Sequence, residues 1–100
     1  MAELEFFFHP EAESEFLADF QWYWDRNHAT AIAFDDAVMA AISLIRRNPS
    51  AWPAYLHGTQ KFVVRKFPYY VAFRQNGGRL EIIAIAHHRR RPGYWADRAN

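Results

Sequence analysis

Hydrophobic positions change their period along this chain, and the changes mark out its elements. Leu4 to Phe8 (LEFFF) is a short apolar run that predicts a strand. His9-Pro10-Glu11 reads as a helix start: proline suits the first helical position, and Glu11 and Glu13 face the positive end of the dipole. From about Pro10 to Arg26, Ala12, Phe16, Leu17, Phe20, Tyr23 and Trp24 recur at near-helical spacing and predict a buried stripe. Trp22 falls on the opposite side with Glu15, Asp19 and Arg26, so it is either an exposed contact point or a ring lying over its own helix. Asn27 to Thr30 is a polar break. A second helix, Ala31 to Arg47, follows with Phe34, Val38, Ala41 and Ile45 on its core face. Arg46 and Arg47 suit its C-terminal end, and Asn48-Pro49 stops it. So short a loop between two helices predicts an antiparallel αα-hairpin.

After a connector with two prolines, Pro49 to Gly58, the period shortens to that of strands. In the connector, Trp52, Tyr55 and Leu56 are expected to plug the rim of the core, and His57 to lie at the surface. Gln60 to Lys66, Tyr69 to Gln75 and Arg79 to His87 predict a meander, its second turn closed by Asn76-Gly77-Gly78 and its first by Phe67-Pro68. Strict alternation puts Tyr69, Val71, Phe73, Leu80, Ile82 and Ala84 on one face, with Phe62 and Val64. The other face then carries Tyr70, Ala72, Arg74, Glu81, Ile83, Ile85 and His87, with Lys61, Val63 and Arg65. The first face is apolar and belongs under the helices. The second has an apolar centre at Ile83 and Ile85, which Tyr94-Trp95 can cover once Pro92-Gly93 turns the chain back. The nearly continuous apolar run of the last strand predicts a central position, with the N-terminal strand beside it and spatial order 2-3-4-1 in a four-stranded antiparallel layer. The fold class is α+β, in the order β-α-α-β-β-β with a short C-terminal tail, in a single domain over residues 1–100.

Composition narrows the function classes. With 100 residues and half of them hydrophobic, the chain suits one globular domain. No cysteine is present, which excludes disulfides, thiolate metal sites and cysteine catalysis and is compatible with a cytoplasmic setting. No apolar run is expected to reach the roughly 20 residues of a membrane span, no secretory signal is expected, and no membrane partner. Net charge is only +1. The halves differ, however: residues 1–50 carry −6 and residues 51–100 carry +7, so the helical half is acidic and the sheet half basic.

No glycine-rich phosphate loop, nucleophile elbow or helical histidine pair for a metal occurs in the sequence. His87 and His88 are adjacent on a strand and point to opposite faces, a poor chelating pair, so neither a metal nor a cofactor is expected. The one constellation is cationic: Lys61, Arg65, Arg74, His87, Arg89, Arg90 and Arg91, near Tyr70 and Tyr94. Three readings stay open. The cations hold phosphates while a His or Tyr moves a proton in RNA cleavage through the 2′-hydroxyl. Or they dock an acidic protein segment. Or they are solvated strand-edge charges, the commoner role for such a run.

The ordered set of motifs resembles the RelE/ParE superfamily of bacterial toxins, most closely its ParE-type, plasmid-stabilisation branch. The residues that carry the resemblance are His9-Pro10, Tyr23, Asn48-Pro49, Phe67-Pro68-Tyr69, and Ala86-His87 with Arg89-Arg90, Pro92 and Tyr94-Trp95. The resemblance covers nearly the whole chain. It implies the toxin half of a type II toxin–antitoxin pair in the cytoplasm, with an antitoxin whose disordered tail folds over the toxin. That tail is expected against the basic side of the sheet or the helix hairpin near Trp22.

Within the superfamily the resemblance implies two targets. RelE-like members cut mRNA on the ribosome, and by position that chemistry would fall to Arg65, Arg74, His87 and Tyr94. ParE-like members lack a full catalytic set and poison DNA gyrase. The near-neutral net charge and modest cation count favour the gyrase-directed, non-enzymatic reading, because nuclease affinity scales with phosphate contacts; the alternatives are the ribosome-dependent nuclease and a non-toxic binding domain of the same fold. Residues expected to touch target or antitoxin are Trp22, Lys61, Arg65, Arg74, His87, Arg89, Arg90, Arg91, Tyr94 and Trp95.

Overall fold

The computed structural model describes residues 4–100. Strand β1 (Phe6–Phe8) leads into helix α1 (Pro10–Trp24), helix α2 (His28–Arg47), and strands β2 (Gln60–Val63), β3 (Tyr69–Asn76) and β4 (Arg79–His87). The residue types explain the helix boundaries. The His9 side chain accepts a hydrogen bond from the Glu11 N–H at 3.1 Å, and Pro10 occupies the first turn, where no N–H is needed. Asn27 caps α2 by accepting from the Thr30 N–H at 3.0 Å. That cap starts α2 at His28, ahead of the predicted Ala31, because the polar break itself supplies the capping side chain.

The sheet order is β1-β4-β3-β2, as expected. The β1–β4 pair is parallel, however, with Phe6 opposite Leu80, so the layer is mixed rather than wholly antiparallel. The helix hairpin intervenes between β1 and the meander and returns the chain to the far side of the sheet without reversing β1 against β4. Strand β2 stops at Val63, short of the predicted Lys66, because Lys66 takes a left-handed conformation (φ 70°) in a turn over residues 65–68. That turn is four residues rather than two. Both lengths are even, so Phe62 and Val64 still face the helices.

Beneath the hairpin lies the main core: Ala12, Phe16, Phe34, Val38, Ala41, Ile42 and Ile45 against Phe62, Val71, Phe73, Leu80, Ile82 and Ile85. Phe34 is its hub, with ring centroids of Phe16, Tyr23, Phe67 and Tyr69 all within 5.5 Å. The stripe on α1 is narrower than predicted. Leu17 is 57% exposed, and Trp24 lies at the surface stacked on His28 at 3.8 Å. An 18-residue window of the 20-residue α2 has a mean hydropathy of 1.4, long and apolar enough for a membrane span by length and composition alone, although Asp35 and Asp36 interrupt the apolar run. Its alanines raise the mean, and its Phe34, Val38, Ile42 and Ile45 are spent on the sheet.

The decisive departure is a bulge in β4. Phe73 pairs with Ile82 but Ala72 pairs with Ala84, so Ile83 is an extra residue. Beyond it every β4 side chain changes face. Ile85 packs in the main core, and His87 sits across from Tyr69 on the helix side. Ala84 and Ala86 join Tyr70, Ala72 and Ile83 on the far face. There the tail folds back as expected: Trp95 is 1% exposed, packed with this group, and its indole N–H donates to the Tyr70 hydroxyl at 3.1 Å.

Candidate functional site

The bulge decides which of the sequence-predicted residues meet. Arg65, Arg74 and His87 do not share a surface. Arg65 lines a hollow beside Ala37, Ala40 and Leu44 of α2. His87 lines one beside Glu15 and Asp19 of α1. Arg74 stays on the far face, where Nε donates to Glu81 at 2.7 Å and a terminal nitrogen donates to the Ala99 carbonyl. Arg74 and Glu81 face each other directly across the hairpin, a cross-strand ion pair that also fastens the tail. Lys61 lies over the rings of Tyr55 and Tyr70 at 4.6 and 4.7 Å. Trp95 is a buried pillar and not a contact residue.

His87, Arg89, Arg90, Tyr94 and Trp22 do come together, in a cleft between α1 and the chain that follows β4. One part, about 310 Å³, is lined by Glu15, Ala18, Asp19, Tyr69, Ile85, His87, Arg90 and Tyr94. A neighbouring part of about 250 Å³ shares Asp19, Tyr69 and His87 and adds Trp22, Tyr23 and Arg89. The helix stripe Glu15, Asp19, Trp22, opposite the predicted core stripe, forms the cleft's wall because the tail wraps over it. Trp22 remains 52% exposed, with the Arg26 guanidinium 3.6 Å above its ring, so it is both at the rim and laid over its own helix. Arg91 is exposed, as are Arg89 and Arg90.

Sequence reasoning missed the two carboxylates and the arginine that pairs with Glu15. Arg98 grips Glu15 with two bonds, 2.8 Å to Oε1 and 3.0 Å to Oε2, and also donates to the Ile83 carbonyl. The Tyr94 hydroxyl donates to Glu15 Oε2 at 2.5 Å, and the Arg90 guanidinium covers the Tyr94 ring at 3.9 Å. Glu15 and Asp19 stand one helical turn apart, a spacing visible in the sequence. The partner of Glu15 was not visible, because Arg98 lies 83 residues further on.

The electrostatics follow from burial. Desolvation lifts the Asp19 carboxyl above the usual carboxylate range, with a hydrogen bond from Tyr69 and the charges of His87 and Arg90 opposing it. Desolvation also raises the Tyr69 hydroxyl, helped by the Asp19 charge, and raises Tyr94, helped by Glu15. Tyr94 is therefore a fixed neutral donor to Glu15. His87 Nδ1 accepts from the Arg89 N–H at 3.0 Å, which leaves the ring proton on Nε2 when the ring is neutral. Its ring stands edge to face with Tyr69 at 5.0 Å. A cleft that mixes two carboxylates with two arginines is poorly suited to a polyanion and well suited to protein side chains. Among the described residues no group of three His, Asp or Glu side chains is placed to hold a metal.

Comparison with known proteins agrees with this architecture. The solved structure titled "Chromosomal ParDE TA system from P. aeruginosa" superimposes with a TM-score of 0.73 over 85% of this chain and 96% of that one. Identity is 13%, so the likeness concerns the fold. No curated protein matches the sequence. Residues 6–92 match the family described as ParE toxin of type II toxin-antitoxin system, parDE. With the match spanning β1 to the start of the tail, on a sheet and hairpin of the same fold, this chain belongs to the ParE toxin family.

Proposed function

We propose that this protein is the toxin of a type II pair that acts by binding a protein target, DNA gyrase, rather than by cutting RNA, and that a cognate antitoxin neutralises it. The observation that carries the reading is the dispersal of Arg65, Arg74 and His87 over separate surfaces. A nuclease would need its phosphate-holding cations and its proton-transfer group around one scissile bond. Here Arg74 is committed to Glu81 and the tail, and Tyr94 is committed to Glu15. Glu15, beside His87, is likewise taken up by Arg98 and Tyr94 and is not free to move a proton there. The exposed features that remain, Trp22, Arg89 and Arg90 at the cleft, are of the kind that anchors protein interfaces.

Inducing the chain in a bacterial host without antitoxin tests this. Growth arrest with early DNA-damage signalling and initially intact protein synthesis is the expected result. Immediate arrest of translation with fragmented mRNA contradicts it, and normal growth contradicts any toxin role.

A further inference from the structure

The sheet is open along β1. That strand pairs with β4 on one side and forms the edge of the layer. The Glu5 carbonyl accepts from the Leu80 N–H at 2.8 Å, and the His9 N–H donates to the Ile82 carbonyl at 2.8 Å, so the odd-numbered residues bond inward. Alternation turns the N–H and C=O groups of Phe6 and Phe8 outward, where nothing among the described residues bonds to them. The strand is only three residues long, yet it is wholly apolar. It carries none of the charges, prolines or bulges that ordinarily blunt such an edge. Phe6 and Phe8 lean into the main core, while Phe7 lies on the far face with the Arg79 guanidinium 4.4 Å from its ring.

This segment is its own complement when run antiparallel. With Phe7 on a two-fold axis, Phe6 of one copy meets Phe8 of the second. Those are the residues whose main-chain groups point outward, so each such pair can exchange both of its hydrogen bonds. A register shifted by one residue sets outward groups against inward ones and forms no ladder. Phe7 meets Phe7 of the second copy on the far face, a cross-strand aromatic pair.

The flanking residues fit the same register. His9 is still extended (φ −56°, ψ 139°), so the ladder reaches it before α1 turns away. It stands opposite Glu5 of the second copy, which is exposed. His9 Nδ1 already accepts from the Glu11 N–H at 3.1 Å, which leaves the neutral ring's proton on Nε2, able to donate to that carboxylate. Leu4 stands opposite Pro10 of the second copy, which has no N–H to give. The Leu4 carbonyl is satisfied instead by Arg46 Nε at 2.6 Å. These two matches favour a second copy over an unrelated strand.

We propose that two copies of this chain associate edge to edge through β1, joining their sheets across a two-fold axis at Phe7 into one continuous layer. The ladder is short, so the association is weak and depends on concentration. The pair carries the α1 cleft twice, once on each subunit. The inference does not rest on the toxin reading.

The test uses the purified full chain in sedimentation velocity from about 10 μM to about 1 mM, the range of weak association. Wild type is compared with Glu5→Arg, His9→Asp and the double variant, with circular dichroism to check each fold. Glu5 is exposed, and aspartate serves as a helix cap as histidine does here, so none of these changes touches the core. Wild type should shift from monomer to dimer over the range. Each single change sets like charges opposite one another and should weaken the dimer at least tenfold. The double variant restores opposite charges and should recover it. The Phe6 and Phe8 amides of wild type should gain hydrogen-exchange protection as concentration rises. A monomer throughout overturns the proposal. So does a dimer that ignores both single changes, or one whose protection falls away from Phe6 and Phe8, because either result places the contact on another surface. Single variants that weaken the dimer without recovery in the double variant overturn the register.

Discussion

Arg98 and Glu15 form a two-bond ion pair, at 2.8 and 3.0 Å, that ties the end of the chain to its first helix. Both side chains are largely buried, at 10% and 14% exposure. Burial alone would lower the Arg98 pKa, but Glu15 outweighs it and the guanidinium is held more firmly charged than usual. Removing one member strands the other. Arg98→Ala should lower stability by about 3 kcal/mol, the usual loss on breaking a buried pair. Arg98→Lys should fall between, because an ammonium cannot reproduce the two parallel bonds. Urea denaturation of the three proteins checks this.

Trp95 is the keystone of the far face. It packs against Tyr70, Ala72, Ile83 and Ala84, and few other large side chains cover that side of the sheet. Trp95→Ala should cost about 3–5 kcal/mol and expose an apolar patch, seen as a lower melting temperature and as dye binding. Truncating Trp22, which is half exposed, should leave the melting temperature nearly unchanged while weakening target binding.

Asp19 gives the protein a pH dependence of definite sign. Burial raises its pKa in the folded state, so the native chain holds that proton more tightly than the unfolded chain does. Its contribution to stability is full below the ordinary carboxylate value of about 4 and is lost as pH rises through the raised native pKa. Asp19→Asn should therefore be more stable than wild type at neutral pH, with the difference vanishing in acid. Melting curves from pH 3 to about 8 check the sign.

Much of this architecture was legible in the sequence. The αα-hairpin followed from the helical spacing of Phe34, Val38, Ala41 and Ile45 and from Asn48-Pro49; the second hairpin followed from Asn76-Gly77-Gly78. The fold of the tail over Ile83 followed from an apolar patch that had to be covered. The site was less legible, for a physical reason. In the run LEIIAIA nearly every position is apolar, so no polar residue breaks the alternation to betray the bulge at Ile83. That single extra residue carries His87 from the side of Arg74 to the side of Asp19. The contact of Glu15 with Arg98 leaves no local trace either, because ion pairs between distant segments obey no spacing rule.

The most direct test of the central claim is a supercoiling assay with purified gyrase, relaxed plasmid and the refolded or antitoxin-stripped protein, beside a purified translation system charged with a defined mRNA. The account predicts inhibited supercoiling with accumulation of cleaved plasmid, unaffected by Arg74→Gln where the fold is intact, and uncut mRNA in the ribosomal reaction. Full gyrase activity together with codon-positioned mRNA cuts that His87→Ala abolishes would contradict it.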